Sequence, residues 1–594
     1  MKRFLFLFLL IYITGAAQNT PATPLKKDPF FTQSTATSPK TKPGTPPEKI
    51  KLIHADSTNR DVALYEGNIF LKGHVEVHHQ GSIFKGDEVI LYQKDNFIKA
   101  NGNIDITNPD GTHLTSNEAE YDGNTRKAIA KGNVVLTDPK QTIKTETLYY
   151  DRNANTAYFN DGGVINVHEN NSVITTKIGT YYVNEQRIVF DSNYKIVDDQ
   201  YITEGNNVNY MRGDGLAIFN GPTTVTNKKN PSNYVYTEQG RYLMNSKEVY
   251  LKKNSRIHYN GKILTGDDMY FNQLTGFGKA TGNVKLDDPA ENRYILGGYG
   301  EIYEKVDSAM MTEKPYAIKV LKTDSVYIAA KKILAYQKLD KATNVKKSYL
   351  RAYKQARVFK TNAQGRSDSL AYNETDGIMH FVGKPVFWAG ERQVTGDTVR
   401  AYSTPDMERI DSVRVMGNAF AISKVDSLNM KDEFNQVKGK LMTIYFKDGD
   451  ISEARVKGNA QAITYADSQD EKTKKVDRIG IAYSTCGEII TEFLERKVQT
   501  ITCNINALTD LYPMSKISKQ KRFFPDFNWN TKDRLQRWRD IFLDTPNYPE
   551  KNIYPIMHYM TLHRALLRVK KMPRKLKNRS GLKRIALKVR NQKY

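Results

Sequence analysis

Residues 73–79, GHVEVHH, place His74, Glu76 and His78 at alternate positions. In an extended strand alternate side chains share a face, so two imidazoles and a carboxylate would stand side by side, a set that suits a metal ion. A solvated outer strand face carries the same residue types. That plainer reading is preferred, so neither a metal nor a cofactor is expected. GIMHFVGKP (377–385) looks like a phosphate-binding loop but has one residue too many between its glycines, and Pro385 stands where a hydroxyl residue is needed. GGYGEIYE (297–304) lacks the dinucleotide spacing. There is no HExxH, no GxSxG and no cysteine cluster, and nothing nominates an acid–base pair. We read the chain as a non-enzyme.

The two cysteines, Cys486 and Cys503, are the remaining reactive groups. In an exported protein two cysteines and no others are expected to pair, and here as a structural bridge rather than a nucleophile.

The informative residues are the repeated ones. AKGNVVLTDP (130–139) returns as ATGNVKLDDP (280–289), with looser copies at LKGHVEVHHQ (from Leu71), KANGNIDITNP (from Lys99), FVGKPVFWAG (from Phe381), VMGNAFAIS (from Val415) and VKGNAQAIT (from Val456). FKGDEVILY (84–92) and LTGDDMYF (264–271) each place a Gly-Asp sixteen residues before the next Gly-Asn. The unit is a strand, a polar turn and a second strand opened by Gly-Asn and closed by Asp-Pro. Within it Val75/Val77, Ile104/Ile106, Val134/Leu136 and Val284/Leu286 keep one apolar face, while the other face turns polar. Period two with one apolar face, and no helical periodicity over the body, predicts an all-β fold in which stacked units share one interior.

The pattern divides into arrays over 49–300 and 320–507 with a connector at 301–319. Residues 508–594 form a small helical, basic C-terminal region, with amphipathic helices over 532–544 and 560–571. The N-terminus, MKRFLFLFLLIYITGAA, reads as a signal peptide over 1–18, an uncleaved anchor being the alternative. It predicts export to the cell envelope. Residues 19–48 are a Pro/Thr-rich linker. Of the net charge of +24, fourteen Lys and Arg lie in 551–594, which has no Asp or Glu. Export argues against nucleic acid as the target of that tail. Anionic lipid or an acidic partner fits better, with a solubilising tail as the plain alternative.

The combination of a signal peptide, repeated A-x-G-N-V-x-L strands and preceding G-D-x-hydrophobic strands resembles the OstA-like family, the LptA-type lipopolysaccharide transport proteins, best over 50–300. The length resembles the long OstA-like proteins of Bacteroidota. The resemblance implies a repeated β-jellyroll or taco, two sheets meeting in a V with an apolar groove for the acyl chains of lipid A. It implies lipopolysaccharide as ligand, and as partners other jellyroll proteins that pair through edge strands, an LptD-type outer-membrane translocon among them. By that logic the groove residues are Val75, Val77, Ile104, Ile106, Val134, Leu136, Val284 and Leu286. The alternative is a closed β-solenoid scaffold or surface protein that binds protein or polysaccharide through a Tyr-rich outer face.

Overall fold

The computed structural model describes Asp28 and residues 48–169, 171–425, 433–469, 476–495 and 497–542. The signal peptide, nearly all of the 19–48 linker, the 560–571 helix and the basic tail lie outside the described residues. The chain divides into two compact units, residues 1–260 with 272–274, and 261–271 with 275–594. The segment expected as a connector, 301–319, is β structure. A strand ending at Tyr303 leads through a single 3-10 turn at Glu304–Val306 into strands Ser308–Thr312 and Tyr316–Val320. Pro315 sits in the turn between these last two strands, where it interrupts no ladder.

Both units are antiparallel throughout, each strand pairing with its neighbours in chain order or one hairpin away. The long strands, such as Phe97–Thr107, Lys127–Asp138 and Phe277–Asp288, run on through Gly-Asn. Gly-Asn therefore does not open the strand; it bends it. Gly102 has φ +84° and Asn103 φ +46°, and the pairing register slips between Asn101 and Ile104. Two successive left-handed residues make a bulge, and Gly followed by Asn is the cheapest pair for it. The equivalent pairs at 132–133, 282–283, 417–418 and 458–459 have the same left-handed backbone. The bulge splits each long strand into two halves with differently directed faces, and the halves build the two layers of the jellyroll.

The Gly-Asp of the preceding strand has its role at the same crease. Asn103 Nδ2 donates to Asp87 Oδ2 at 2.8 Å, and Asn283 Nδ2 to Asp267 Oδ2 at 2.8 Å. A Cβ on Gly86 would lie 2.9 Å from Ile104 Cδ1, so the glycine leaves room for the branched residue that follows the next bulge. In the copy at the start of the fold His74 takes the place of Asn, its Nδ1 2.8 Å from Asp56 Oδ2.

The end of the second unit differs from expectation. Over its described residues, 532–542, the expected amphipathic helix is replaced by irregular chain and one 3-10 turn, Trp538–Phe542. Residues 514–542 instead run as an irregular strap along one sheet face of the second unit. Met514, Ile517 and Phe524 pack on Ile463, Tyr465 and Ile481. Phe523, Phe527 and Trp529 pack on Phe420, Ile422 and Phe434, while Leu535, Trp538, Ile541 and Phe542 reach Tyr316, Ile318 and Phe359. The apolar spacing read as a helix is the spacing of anchors in a bound segment. Cys486 and Cys503 are joined, their Cα atoms 5.9 Å apart, across strands Val476–Leu494 and Lys497–Asn504.

Candidate lipid interior

Strand register converts the alternating pattern into continuous rows. In the first unit Val77 faces Phe84, which faces Ile106, then Leu114, Leu136 and Ile143. The row continues through Ile165, Ile174, Ile196, Thr203, Val225, Val235 and Ile257. Thr203 is its one polar member. At about 4.8 Å per strand these thirteen rungs run on the order of 60 Å.

The opposing layer carries a second row: Leu91, Ile98, Tyr121, Ala128, Tyr150, Ala157, Tyr181, Ile188, Tyr210, Ala217 and Tyr242. Tyrosine recurs on every second strand. Tyr121, Tyr150, Tyr181 and Tyr210 are buried and aimed inward, so these aromatics are core, not the outer recognition face that a scaffold reading needs. Their hydroxyls find polar partners at the rim. Tyr181 donates to Asp138 Oδ2 at 3.0 Å, and Tyr121 stands 2.6 Å from His79 Nδ1. Burial pushes the Tyr150 phenol up to about 12, and raises Tyr181 and Tyr121 as well.

Of the eight residues nominated for the groove, Val75, Ile104, Val134 and Val284 are fully buried beside the bulges, on the crease. Val77, Ile106 and Leu136 come together on the wall of one cavity of about 50 Å³, with Tyr121, Tyr150 and Arg152 opposite. Leu286 lies on the corresponding row of the second unit. Around these residues the first unit's interior is apolar and narrow, with buried tyrosines filling much of it. His74 and His78 do not converge on a metal site: His74 bonds Asp56, whereas His78 Nε2 lies 2.7 Å from Glu76. Among the described residues no group of three or more His, Cys, Asp or Glu is placed to hold an ion.

The second unit has the same two rows with smaller residues. One runs Leu264, Leu286, Ile295, Ala317, Ile328, Val358, Gly365, Phe387, Val394, Ala421, Val437 and Ala462. Opposite it, Leu350 is followed by Tyr372, Met379, Ala401, Val413, Ile444 and Ala454. After Tyr372 no tyrosine recurs on that row. Gly365 makes room for the Phe387 ring, which a Cβ there would meet at 2.7 Å. Beside Ala401, which stands where the first unit's row carries large residues, a chamber of about 530 Å³ opens, lined by Val358, Met379, Phe387, Val394, Val413 and Ile444 among others. That is the volume and the lining of a site for an apolar ligand. The chamber was not visible in the sequence, because Ala401 is an ordinary alanine whose partners lie on other strands. The loss of the tyrosine recurrence after Tyr372 is the signal that could have found it.

A stacked, creased β-jellyroll with an apolar interior is thus the class that the fold and its inner rows define. Over residues 47–206 the chain matches the family described as OstA-like protein. No curated protein matches the chain. Among solved structures it is similar to LptH of Pseudomonas aeruginosa, the LptA-homologous periplasmic component of a lipopolysaccharide transport device. That match has 15% identity and a TM-score of 0.19, and covers 25% of this chain and 95% of that one.

Proposed function

We propose that the protein is a non-enzymatic carrier or bridge for lipopolysaccharide in the periplasm, passing the acyl chains of lipid A along its apolar interior towards the outer membrane. The observation that carries this reading is the pair of inner rows, which present a mainly apolar surface from strand to strand. Such a surface binds methylene groups at about 0.8 kcal/mol each without a deep local minimum. The OstA-like match points the same way. The chamber of the second unit has room for an acyl chain as it stands. In the first unit Val75, Val77, Ile104, Ile106, Val134 and Leu136 would contact lipid only as the tyrosine row parts from them. Other jellyroll proteins, including an LptD-type translocon, would pair at the exposed end strands, among them Leu508–Pro513, which is exposed along its whole length. The basic tail would contact anionic lipid or an acidic partner.

The reading is tested by purifying the protein from its host envelope without detergent exchange and extracting bound lipid. Stoichiometric lipid A is expected. Repeated recovery of protein free of glycolipid, together with specific retention on a polysaccharide or protein ligand, would favour the closed scaffold instead.

A further inference from the structure

The mouth of the second unit's chamber is cationic. Lys360 and Arg392 come from hairpin ends of one layer, Arg409 from a turn of the other, and Arg534 from the strap. Glu408 and Asp450 are the carboxylates on the same lining, and Glu408 Oε1 accepts from the Lys322 backbone N–H at 2.7 Å. Arg409 Nε donates to Asp411 Oδ1 at 2.9 Å, an exposed pair, so with Asp411 counted the four cations meet three carboxylates, and the mouth keeps a small positive excess.

The strap is built to hold Arg534 there. Three glutamines, Gln364, Gln393 and Gln436, are buried to 5%, 2% and 1% exposure on the sheet face that the strap covers. Gln393 accepts from the Asn530 backbone N–H at 2.8 Å and donates to the Asn528 carbonyl at 2.7 Å. Gln436 treats Phe524 N–H and the Arg522 carbonyl in the same way, at 3.0 and 2.9 Å. These two amides thus read the strap's main chain through both donor and acceptor, whereas Gln364 donates to the Lys360 carbonyl at 3.0 Å within its own hairpin. Trp388, which lines the chamber, donates its indole N–H to the Asn530 carbonyl at 2.9 Å. Gln364 Oε1 accepts from Arg534 Nε at 3.1 Å, leaving the rest of the guanidinium fork for the mouth. Arg366 pairs with Asp533, so the carboxylate next to Arg534 is drawn away to another partner.

Resting on the lipid-carrier reading, we propose that the strap completes an anion site at the chamber mouth. The chamber takes the acyl chain of an anionic amphiphile, and Arg534, with Arg409, Arg392 and Lys360, takes its phosphate or carboxylate. Arginine suits this because its planar fork matches both anions.

Calorimetry on the full chain with decyl phosphate, decanoate and decanol, each below its aggregation threshold, tests the proposal. Arg534→Gln is expected to weaken both anionic probes at least fivefold and to leave decanol within twofold. Arg409→Gln should act in the same sense, and Arg534→Lys should recover most of the loss. Arg537→Gln, an exposed strap residue paired with Asp540, should change nothing. Val413→Trp, which fills the chamber, should abolish binding of all three. The stronger of the two anionic probes identifies a phosphorylated lipid or a free fatty acid as the source. If Arg534→Gln leaves decyl phosphate unaffected while Val413→Trp abolishes it, the strap's part is overturned and the lipid chamber stands. If decyl phosphate binds Val413→Trp as it binds the parent, the chamber itself is not the site and both fall.

Discussion

Asn103 donates its side-chain amide to Asp87, sixteen residues earlier, and the same bond joins Asn283 to Asp267 in the second unit. The sixteen-residue interval is a strand end, a turn and half the next strand, so the bond ties neighbouring strands at their common bend. Gly102 beside it is left-handed, and a Cβ there would meet Asp87 Oδ2 at 2.6 Å. Gly102→Ala is therefore expected to cost about 1–2 kcal/mol of the first unit's stability. Asn103→Ala, which breaks one exposed bond, should cost at most about 1 kcal/mol. Urea unfolding of the two variants checks the order, and equal effects would mean that the bend does not depend on glycine.

The tyrosine row makes a separate prediction. Tyr181→Phe removes the donor to Asp138 and should cost about 1–2 kcal/mol, whereas Tyr181→Ala leaves a cavity and should cost about 3–5 kcal/mol. If the first unit is sealed by these rings, Tyr181→Ala should also raise decyl-probe binding above that of the parent. A decrease would place Tyr181 among the ligand contacts.

His79 should make stability depend on pH. Its Nε2 lies 3.0 Å from the Glu48 carbonyl, the donor's position, which leaves Nδ1 to accept from the Tyr121 hydroxyl. That is the neutral ring. Burial first, then the nearby Arg152 and Arg126, holds its pKa below the ordinary value, against an upward pull from Glu48. The unfolded ring titrates near 6.5. The folded state therefore binds fewer protons just below that pH. The contribution is fully present above about 6.5 and is lost as pH falls through the lowered folded value. Denaturant midpoints measured from pH 7.5 down to 5 should decline, and His79→Gln should flatten the decline.

The bridge between Cys486 and Cys503 closes a loop of 17 residues in separation. Its removal in Cys486→Ser/Cys503→Ser should cost about 3 kcal/mol. The loss should appear as earlier hydrogen exchange in strands Val476–Leu494 and Lys497–Asn504, with the first unit unchanged.

Much of this was legible in the residues themselves. Alternation in GNVVLTDP gives the inward face of Val134 and Leu136, and the Gly-Asp to Gly-Asn interval gives the strand unit. Whether Gly-Asn begins a strand or bends one was not legible, because a left-handed pair serves equally as a turn. The helix expected over 532–544 failed for a related reason. Leu535, Trp538, Ile541 and Phe542 recur at helical spacing, yet their partners are Tyr316, Ile318 and Phe359, more than 170 residues away. Periodicity shows that a face is buried, not what buries it. The chamber, where Ala401 and Val413 of one layer face Val358 and Val394 of the other, depends on register that no single segment carries.

The most direct measurement is photo-crosslinking in living cells, with the reactive residue placed at Val413, on the chamber wall, and separately at its exposed neighbour Arg414. The account predicts lipopolysaccharide adducts at Val413 and none at Arg414. Adducts at Arg414 alone, or none at Val413 under conditions of active envelope growth, would contradict an interior lipid path.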